Sequence, residues 1–333
     1  METVQPTSST GRLNQLLAPV QTELDAVENW LETALTGENP RLSPLLDHLK
    51  KFRGKRVRAA QILLIAKGCG GLKEVHIPVA GIVEMIHSAT LVHDDLLDEA
   101  SQRRALDCVH VEWGSHSAVL LGDWIYAKAF EECTKLPGNE ASVALATATR
   151  RVCAGEIYQN LTRKNFDLSE ASYLEQIDGK TGALFEEGAR LAGFFAGASP
   201  EIQAACGAYG KLTGRAFQIA DDILDLVGDE KRVGKSLGTD WDRGKMTLPL
   251  IRLRDILPQE LQVEVRGHFG KNSDRSILME PKFSSYLEQA LQESHQEIQS
   301  LLQRACDSIT CLPFSESRKP LIALTHFLGS RSR

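Results

Sequence analysis

The 333-residue sequence has no CxxC pair, and its seven cysteines, Cys69, Cys108, Cys133, Cys153, Cys206, Cys306 and Cys311, are odd in number and scattered. That usage indicates neither a disulfide framework nor a zinc site; reduced thiols of a cytoplasmic protein are expected. Long apolar runs are lacking as well. The best stretches, residues 77–92 and 141–154, are broken by Glu, His or Arg well short of the roughly 20 apolar residues of a membrane span. There is no basic excess. A net charge of −6 and a pI near 5.9 argue against a nucleic-acid surface, which shows a basic patch. Residues 1–10, METVQPTSST, have neither the positive start nor the apolar stretch of a signal peptide and are expected to be a flexible N-terminus. No Gly/Ser tract, Pro-rich tract or low-complexity run marks a linker, so residues 11–333 read as one large domain.

Strand-like alternation is rare, and what is present is helical periodicity. Leu13, Leu16, Leu17 and Val20, then Leu24, Val27 and Leu31, recur at spacings of three and four. Helices are expected over about 11–37, 43–50, 56–69, 72–96, 115–134, 139–164, 170–195, 200–225, 246–254, 284–308 and 317–329. With 42% hydrophobic residues, the chain suits an all-α protein with a large core.

The segment Gly81–Arg104, GIVEMIHSATLVHDDLLDEASQRR, runs from an apolar helix into a knot of carboxylates and then paired arginines. Asp94 and Asp98 share one helix face, Asp95 is turned aside and Glu99 lies next to them. Like charges four apart on a solvated helix cost only about 0.2–0.5 kcal/mol. In a partly buried cleft each close pair approaches roughly 4 kcal/mol at an effective dielectric near 20, and the cluster then needs a cation. A lone DDxxD is more often a wet helix end. Here it recurs, as Asp221, Asp222 and Asp225 in FQIADDILDLVGDEKR, which makes two accidental solvated faces the weaker reading. Two such clusters facing each other form a metal-bridging site. Mg²⁺ is the expected ion, because it binds through one or two carboxylates plus phosphate oxygens, and no Ca²⁺ loop of the DxDxDG type is present.

Cations accompany the acids. In GKRVRA, Lys55 and Arg58 lie on one side of a helix start with Arg56 turned away. They suit a diphosphate clamp, the fork of Arg matching phosphate oxygens and Lys adding a point charge; a solvated basic helix end is the plain alternative. His87 lies two turns before Asp94 on nearly the same face, although a lone His there is usually a core residue. Arg103 and Arg104 are near enough to the acids to touch an anion held by metal; as surface ion pairs they would be worth under ~1 kcal/mol. GKTGALF brings Lys180 and Thr181, and GKSLGTDWDRGKMTLP brings Lys235, Asp240 and Lys245 in a Gly-broken loop suited to covering a phosphate.

Taken in order, GKRVR, HDDLLDEASQRR, GKTGALF, FQIADDILDLVGDE and GKMTLPL resemble the five signature blocks of the trans-type isoprenyl diphosphate synthases (polyprenyl synthetases), specifically a long-chain, octaprenyl-like member. The likeness covers about residues 40–330. It implies an all-α fold, a single large helical bundle around a deep central cavity, usually homodimeric, in which the two acid motifs on facing helices bind three Mg²⁺ ions. Position by position, it assigns Lys55, Arg58, His87 and Arg104 to isopentenyl diphosphate, and Arg103, Lys180, Thr181, Gln218, Lys235 and Lys245 to the allylic diphosphate. Of these, the resemblance implies Lys180, Thr181 and Gln218 as the catalytic set. Asp94, Asp98 and Asp221 would ligate metal directly, while Asp95, Asp222 and Asp225 would support them through water or neighbouring side chains. Four positions depart from the usual pattern: Ala59 and Asp107 for Pro, Ala105 for Gly, and Thr239 for a frequently basic residue.

The resemblance implies Mg²⁺-dependent ionisation of the allylic diphosphate, attack by isopentenyl diphosphate and loss of a proton. Short-chain members commonly carry aromatic residues four and five positions before the first Asp; here Thr90 and Ala89 stand there. That leaves the product tunnel open at this level and implies an all-trans product of about six to ten isoprene units, which partitions into membranes. The nearest alternatives are a farnesyl or geranylgeranyl diphosphate synthase, a terpene cyclase, whose second motif normally mixes Asn, Ser and Glu, and a non-catalytic subunit of a heteromeric synthase, which typically lacks acids from one motif.

Overall fold

The helical periodicity is realised almost throughout. The computed structural model describes residues 9–36, 40–52, 54–104, 106–228, 237–271 and 275–329. The sheet found among them is a two-stranded antiparallel hairpin, Gln102–Arg103 against Leu106–Asp107. By their contacts the described residues form two compact units, one within Met1–Ala146, Glu187–Gly207 and Ser308–Phe327, the other within Thr147–Glu186, Ala208–Asp307 and Leu328–Arg333.

The first unit is built on the helix His76–Leu97, which buries Val79, Ile82, Val83, Met85, Ile86, Ala89 and Val92. Helices Gln21–Leu35, Val57–Gly68 and Ser115–Thr134 pack against it. Two glycines allow the close approach. A Cβ at Gly122 would lie 2.1 Å from His93 Nε2, and one at Gly81 only 2.2 Å from the Trp30 ring, distances no side chain tolerates. The Val57–Gly68 helix is buried along nearly its whole length, as expected of a segment with no polar face.

In the second unit the core gathers Phe166, Tyr173, Ile177, Ile219, Ile223, Trp241, Leu248, Ile251, Phe269 and Phe283. Trp241 meets Phe269 edge to face, and Phe269 meets Phe166 likewise, both at 5.6 Å between ring centroids. The long helix Pro281–Ser308 covers this core with an inward stripe of Phe283, Leu287, Ala290, Ser294, Ile298, Leu301 and Leu302 at helical spacing.

Several segments differ from the expectation, among them the short helices Val109–Trp113 and Thr239–Asp242, which fall where none is expected. The first expected helix is divided into Ser9–Leu17, a 3₁₀ turn at Ala18–Val20 and Gln21–Leu35, because Pro19 lacks the N–H that a continuous helix needs. The expected helix over 170–195 is interrupted between Glu170–Ile177 and Ala183–Ala196 by a π-turn at Asp178–Gly182. Gln259–His268 is helical although no helix is expected there; its Leu261, Val263 and Val265 alternate with polar residues, and Val263 is 64% exposed. No helix among the described residues is long and apolar enough to cross a membrane.

Candidate active site

The first acid motif ends the His76–Leu97 helix. Asp94 and Asp98 are half-buried there, and Asp98 caps the helix with its N–H donating to the Asp94 carbonyl at 2.8 Å. Asp95 points elsewhere. It is 7% exposed and accepts from Arg103, whose Nε reaches both carboxylate oxygens at 2.9 Å while a terminal nitrogen reaches one at 2.7 Å. Burial disfavours the Arg103 cation, but the Asp95 contact and the charge of Asp94 outweigh it and hold its pKa above the ordinary value. Burial and Asp95 push the neighbouring Cys108 thiol up to about 12, so it stays protonated.

The basic residues converge on His87. Burial, then the charges of Arg58, Arg103, Arg56 and Arg104, hold its imidazole well below the usual 6.5, so a neutral ring sits among guanidinium groups. Arg56 serves the fold instead. In the left-handed conformation, φ 48°, it precedes the Val57–Gly68 helix and pairs with Glu28 and the buried Glu84. Glu84 also accepts from the Ala59 N–H at 3.1 Å. Lys55 Nζ lies 5.4 Å from the centroid of the Phe327 ring. Arg104, at φ 54°, comes back to the same loop, and a Cβ at Gly54 would be 3.5 Å from its guanidinium. Arg104 thus meets the segment that carries Lys55 and Arg58, and the charges of Arg58, Arg103 and Arg104 all act on His87.

The second unit carries the other motif on the helix Pro200–Val227. The Thr181 hydroxyl donates to Gln218 Oε1 at 2.6 Å, Gln218 Nε2 donates to Asp222 at 2.8 Å, and the Tyr173 hydroxyl donates to the other Asp222 oxygen at 2.6 Å. Burial, followed by the charge of Asp240, raises the Asp222 carboxyl to about 8. Asp225, 6% exposed, accepts from the Thr239 hydroxyl at 3.1 Å and the Asp240 N–H at 3.0 Å, while its carbonyl accepts from the Gly238 N–H and from Arg275. Thr239 therefore uses its side chain to hold the second motif. Lys245 is buried 3.6 Å from Asp240, and Lys180 pairs with Glu156 and donates to Gln159 at 3.2 Å. Close backbone contact puts Lys180 there, since a Cβ at Gly155 would be 2.5 Å from the Lys180 nitrogen. Lys235 and Ala105 lie outside the described residues.

Burial divides the six acids into two sets. Asp95, Asp222 and Asp225 are 5–7% exposed and engage Arg103, Tyr173, Gln218 and Thr239; Asp94, Asp98 and Asp221 are half-buried. Among the described residues no three His, Cys, Asp or Glu side chains group into a ready-made metal cage. The half-buried carboxylates of Asp94 and Asp98 fit Mg²⁺, which would take one or two such carboxylates together with phosphate oxygens and water. Tyr173, Glu84, Glu156 and Arg275 were not singled out in the sequence. None falls in a recognisable motif, and only the tertiary fold brings them to the acids and cations.

An all-helical body carrying two DDxxD motifs, each with its own set of cations, defines an isoprenoid synthase. Residues 39–280 match the family model described as polyprenyl synthetase, and the chain belongs to that family of prenyltransferases. Octaprenyl diphosphate synthase of Escherichia coli K12 is 32% identical over 281 residues, 84% of this chain and 87% of that protein. All-trans-nonaprenyl-diphosphate synthase (geranyl-diphosphate specific) of Rhodobacter capsulatus is 33% identical over 320 residues, 95% of this chain and 97% of that one. A crystal structure of polyprenyl synthase from Caulobacter crescentus CB15, complexed with calcium and isoprenyl diphosphate, matches with a TM-score of 0.85 at 30% identity over 99% of each chain.

Proposed function

We propose that the chain condenses isopentenyl diphosphate with an allylic diphosphate to give a medium- to long-chain all-trans polyprenyl diphosphate, and that residues 11–333 act as one synthase domain. The observation that carries this reading is the cation cluster beside the first acid motif, in which Asp95 holds the Arg103 guanidinium and the Arg104 guanidinium lies against Gly54, at the start of the segment that carries Lys55 and Arg58. Such a cluster suits a diphosphate, whose oxygens accept from several guanidinium forks at once.

In this reading Asp94, Asp98 and Asp221 hold Mg²⁺, three ions per site, while Asp95, Asp222 and Asp225 keep neighbouring side chains in place. When bound, the metal neutralises charge developing on the leaving diphosphate. Arg103, Lys180, Thr181, Gln218, Lys235 and Lys245 orient the allylic diphosphate and stabilise its negative charge as the C–O bond ionises. Lys55, Arg58, His87 and Arg104 hold isopentenyl diphosphate with its double bond toward the cation, and the released diphosphate takes the proton. No protein nucleophile is needed. Apolar side chains exclude the water that would quench the cation.

The long product is supported by the two polyprenyl-forming relatives; Ala89 is small and fully buried, and the hydroxyl of its neighbour Thr90 donates to the His87 carbonyl. The protein is proposed to be cytoplasmic and homodimeric, its interface including the helix face that exposes Val119 and Leu120. The test is incubation with Mg²⁺, labelled isopentenyl diphosphate and farnesyl diphosphate, followed by chromatography of the dephosphorylated products. Chains of about six to ten units are expected. Arrest at farnesyl or geranylgeranyl length would overturn the long-chain reading, and no elongation with any allylic starter would overturn the activity.

A further inference from the structure

His48 belongs to none of the residues given a role above. It lies on the helix Ser43–Lys51 and is 6% exposed. Its Nε2–H donates to the Asp107 carbonyl at 2.7 Å, and its Nδ1 faces the Glu112 carboxylate at 3.3 Å. Phe52 and Trp113 stand edge-on to the ring at 4.9 and 4.8 Å between centroids, so it has one available orientation.

What His48 joins gives it meaning. Asp107 is on the return strand of the hairpin, opposite Gln102, whose side-chain amide donates to the Asp107 carboxylate at 3.1 Å. Arg103 and Arg104 follow Gln102 directly. On the other side, the His48 helix ends at Phe52 and leads into Gly54–Arg58. Two segments some 50 residues apart therefore supply the cations, and they meet where the Arg104 guanidinium lies against Gly54. The His48–Asp107 hydrogen bond, part-buried at 2.7 Å, is a direct link between them. Arg103 has its own anchor in Asp95. Arg104 sits at the turn of the hairpin, with its guanidinium against Gly54.

We propose that His48 is a positioning residue for isopentenyl diphosphate, setting the distance between Lys55 and Arg58 on one segment and Arg104 on the other. This rests on the proposed assignment of those three side chains to that substrate. A diphosphate spanning two segments is sensitive to their spacing, since misplacement by about 1 Å costs up to 10²-fold in a site of this kind. Loss of the link is expected to weaken isopentenyl diphosphate and spare the allylic substrate, because Asp95 still holds Arg103.

The test is steady-state kinetics of full-length His48→Phe and His48→Gln with Mg²⁺, isopentenyl diphosphate and farnesyl diphosphate, with thermal unfolding measured alongside. Phe keeps the contacts to Phe52 and Trp113 but donates to neither oxygen; Gln retains an N–H for the Asp107 carbonyl. For His48→Phe the KM for isopentenyl diphosphate is expected to rise about tenfold, with the allylic KM and the saturated kcat within about twofold. His48→Gln is expected to recover at least half of that rise on a logarithmic scale. If His48→Phe does not fold, His48→Leu, which donates no hydrogen bond to the Asp107 carbonyl either, is read by the same split. Unchanged KM for isopentenyl diphosphate, or equal rises for both substrates, overturns the proposal, and a lower melting temperature alone counts as a merely structural role. Wild-type protein that elongates nothing overturns the synthase reading and this inference with it; wild-type elongation with unaltered variants overturns only the role of His48.

Discussion

The Asp95–Arg103 pair offers the sharpest test of how the first motif is divided between ligand and support. Its three hydrogen bonds span 2.7–2.9 Å, and at an effective dielectric near 20, charges about 4 Å apart attract by roughly 4 kcal/mol. The Arg103 side chain is 31% exposed and that of Asp95 10%. Solvent screens part of the attraction, and removing one partner is expected to cost about 2 kcal/mol. If the pair serves to aim Arg103 at the allylic diphosphate, Asp95→Asn lowers kcat/KM for that substrate about 30-fold, the kinetic equivalent of ~2 kcal/mol. Arg103→Ala should cost at least as much. In Asp95→Asn/Arg103→Ala the two losses should overlap, giving a coupling energy of about 2 kcal/mol in a double-mutant cycle, well above the ~0.5 kcal/mol scatter of independent sites. Steady-state kinetics at saturating Mg²⁺ and isopentenyl diphosphate provide the four numbers. Additive losses, or an Asp95→Asn defect that appears only as weaker Mg²⁺ binding, would show Asp95 acting on the metal directly and refute the reasoning.

Other consequences follow from individual contacts. Ala89→Phe places a ring at a fully buried position of the first-motif helix; it is expected to shorten the product at a stability cost of about 1–3 kcal/mol, and unchanged product length counts against the open-tunnel account. Tyr173→Phe removes a buried 2.6 Å hydrogen bond to the Asp222 carboxyl group and, by leaving a buried acceptor unsatisfied, should destabilise the protein by about 1–3 kcal/mol in thermal or denaturant unfolding; a change below ~0.5 kcal/mol would mean that the bond contributes little. His87, whose folded-state pKa is held below 6.5 by burial and four arginines, binds fewer protons in the native than in the unfolded chain. Stability should therefore fall as pH drops below about 6.5. His87→Gln should flatten that part of the melting-temperature profile relative to wild type, whereas parallel profiles would contradict the assigned surroundings of the ring.

How far the sequence discloses this depends on the range of the interaction involved. Helices such as Ser115–Thr134 and Pro281–Ser308 are readable because one buried stripe repeats every three or four residues. Gln259–His268 is not, because its apolar residues alternate and only Val265 is fully buried, with Leu261 packed partly against the core. The π-turn at Asp178–Gly182 has no periodicity to show. Its paired glycines are a local signal, but the need for Gly179 arises from Gly155 and Arg151 on another helix. In the site, the spacing of the acids already turns Asp95 away from Asp94 and Asp98, since helix geometry alone fixes that angle. The partner it turns toward, Arg103, comes back through a hairpin whose QRRALD sequence lacks the β-branched residues that mark strands. Tyr173, Arg275 and His48 escape notice for the same reason. Each acts across the fold, on Asp222, Asp225 and Asp107 respectively, and nothing in its immediate sequence states that.

The division of the six aspartates into metal ligands and supports is the centre of this account. It is tested most directly by anomalous scattering from crystals grown with Mn²⁺ in place of Mg²⁺ and a non-ionisable thio analogue of the allylic diphosphate. The account predicts metal peaks at about 2.0–2.3 Å from carboxylate oxygens of Asp94, Asp98 and Asp221, with Asp95 still on Arg103 and Asp222 still on Tyr173. Peaks on Asp95 or Asp222, with those side chains drawn from their present partners, would contradict it.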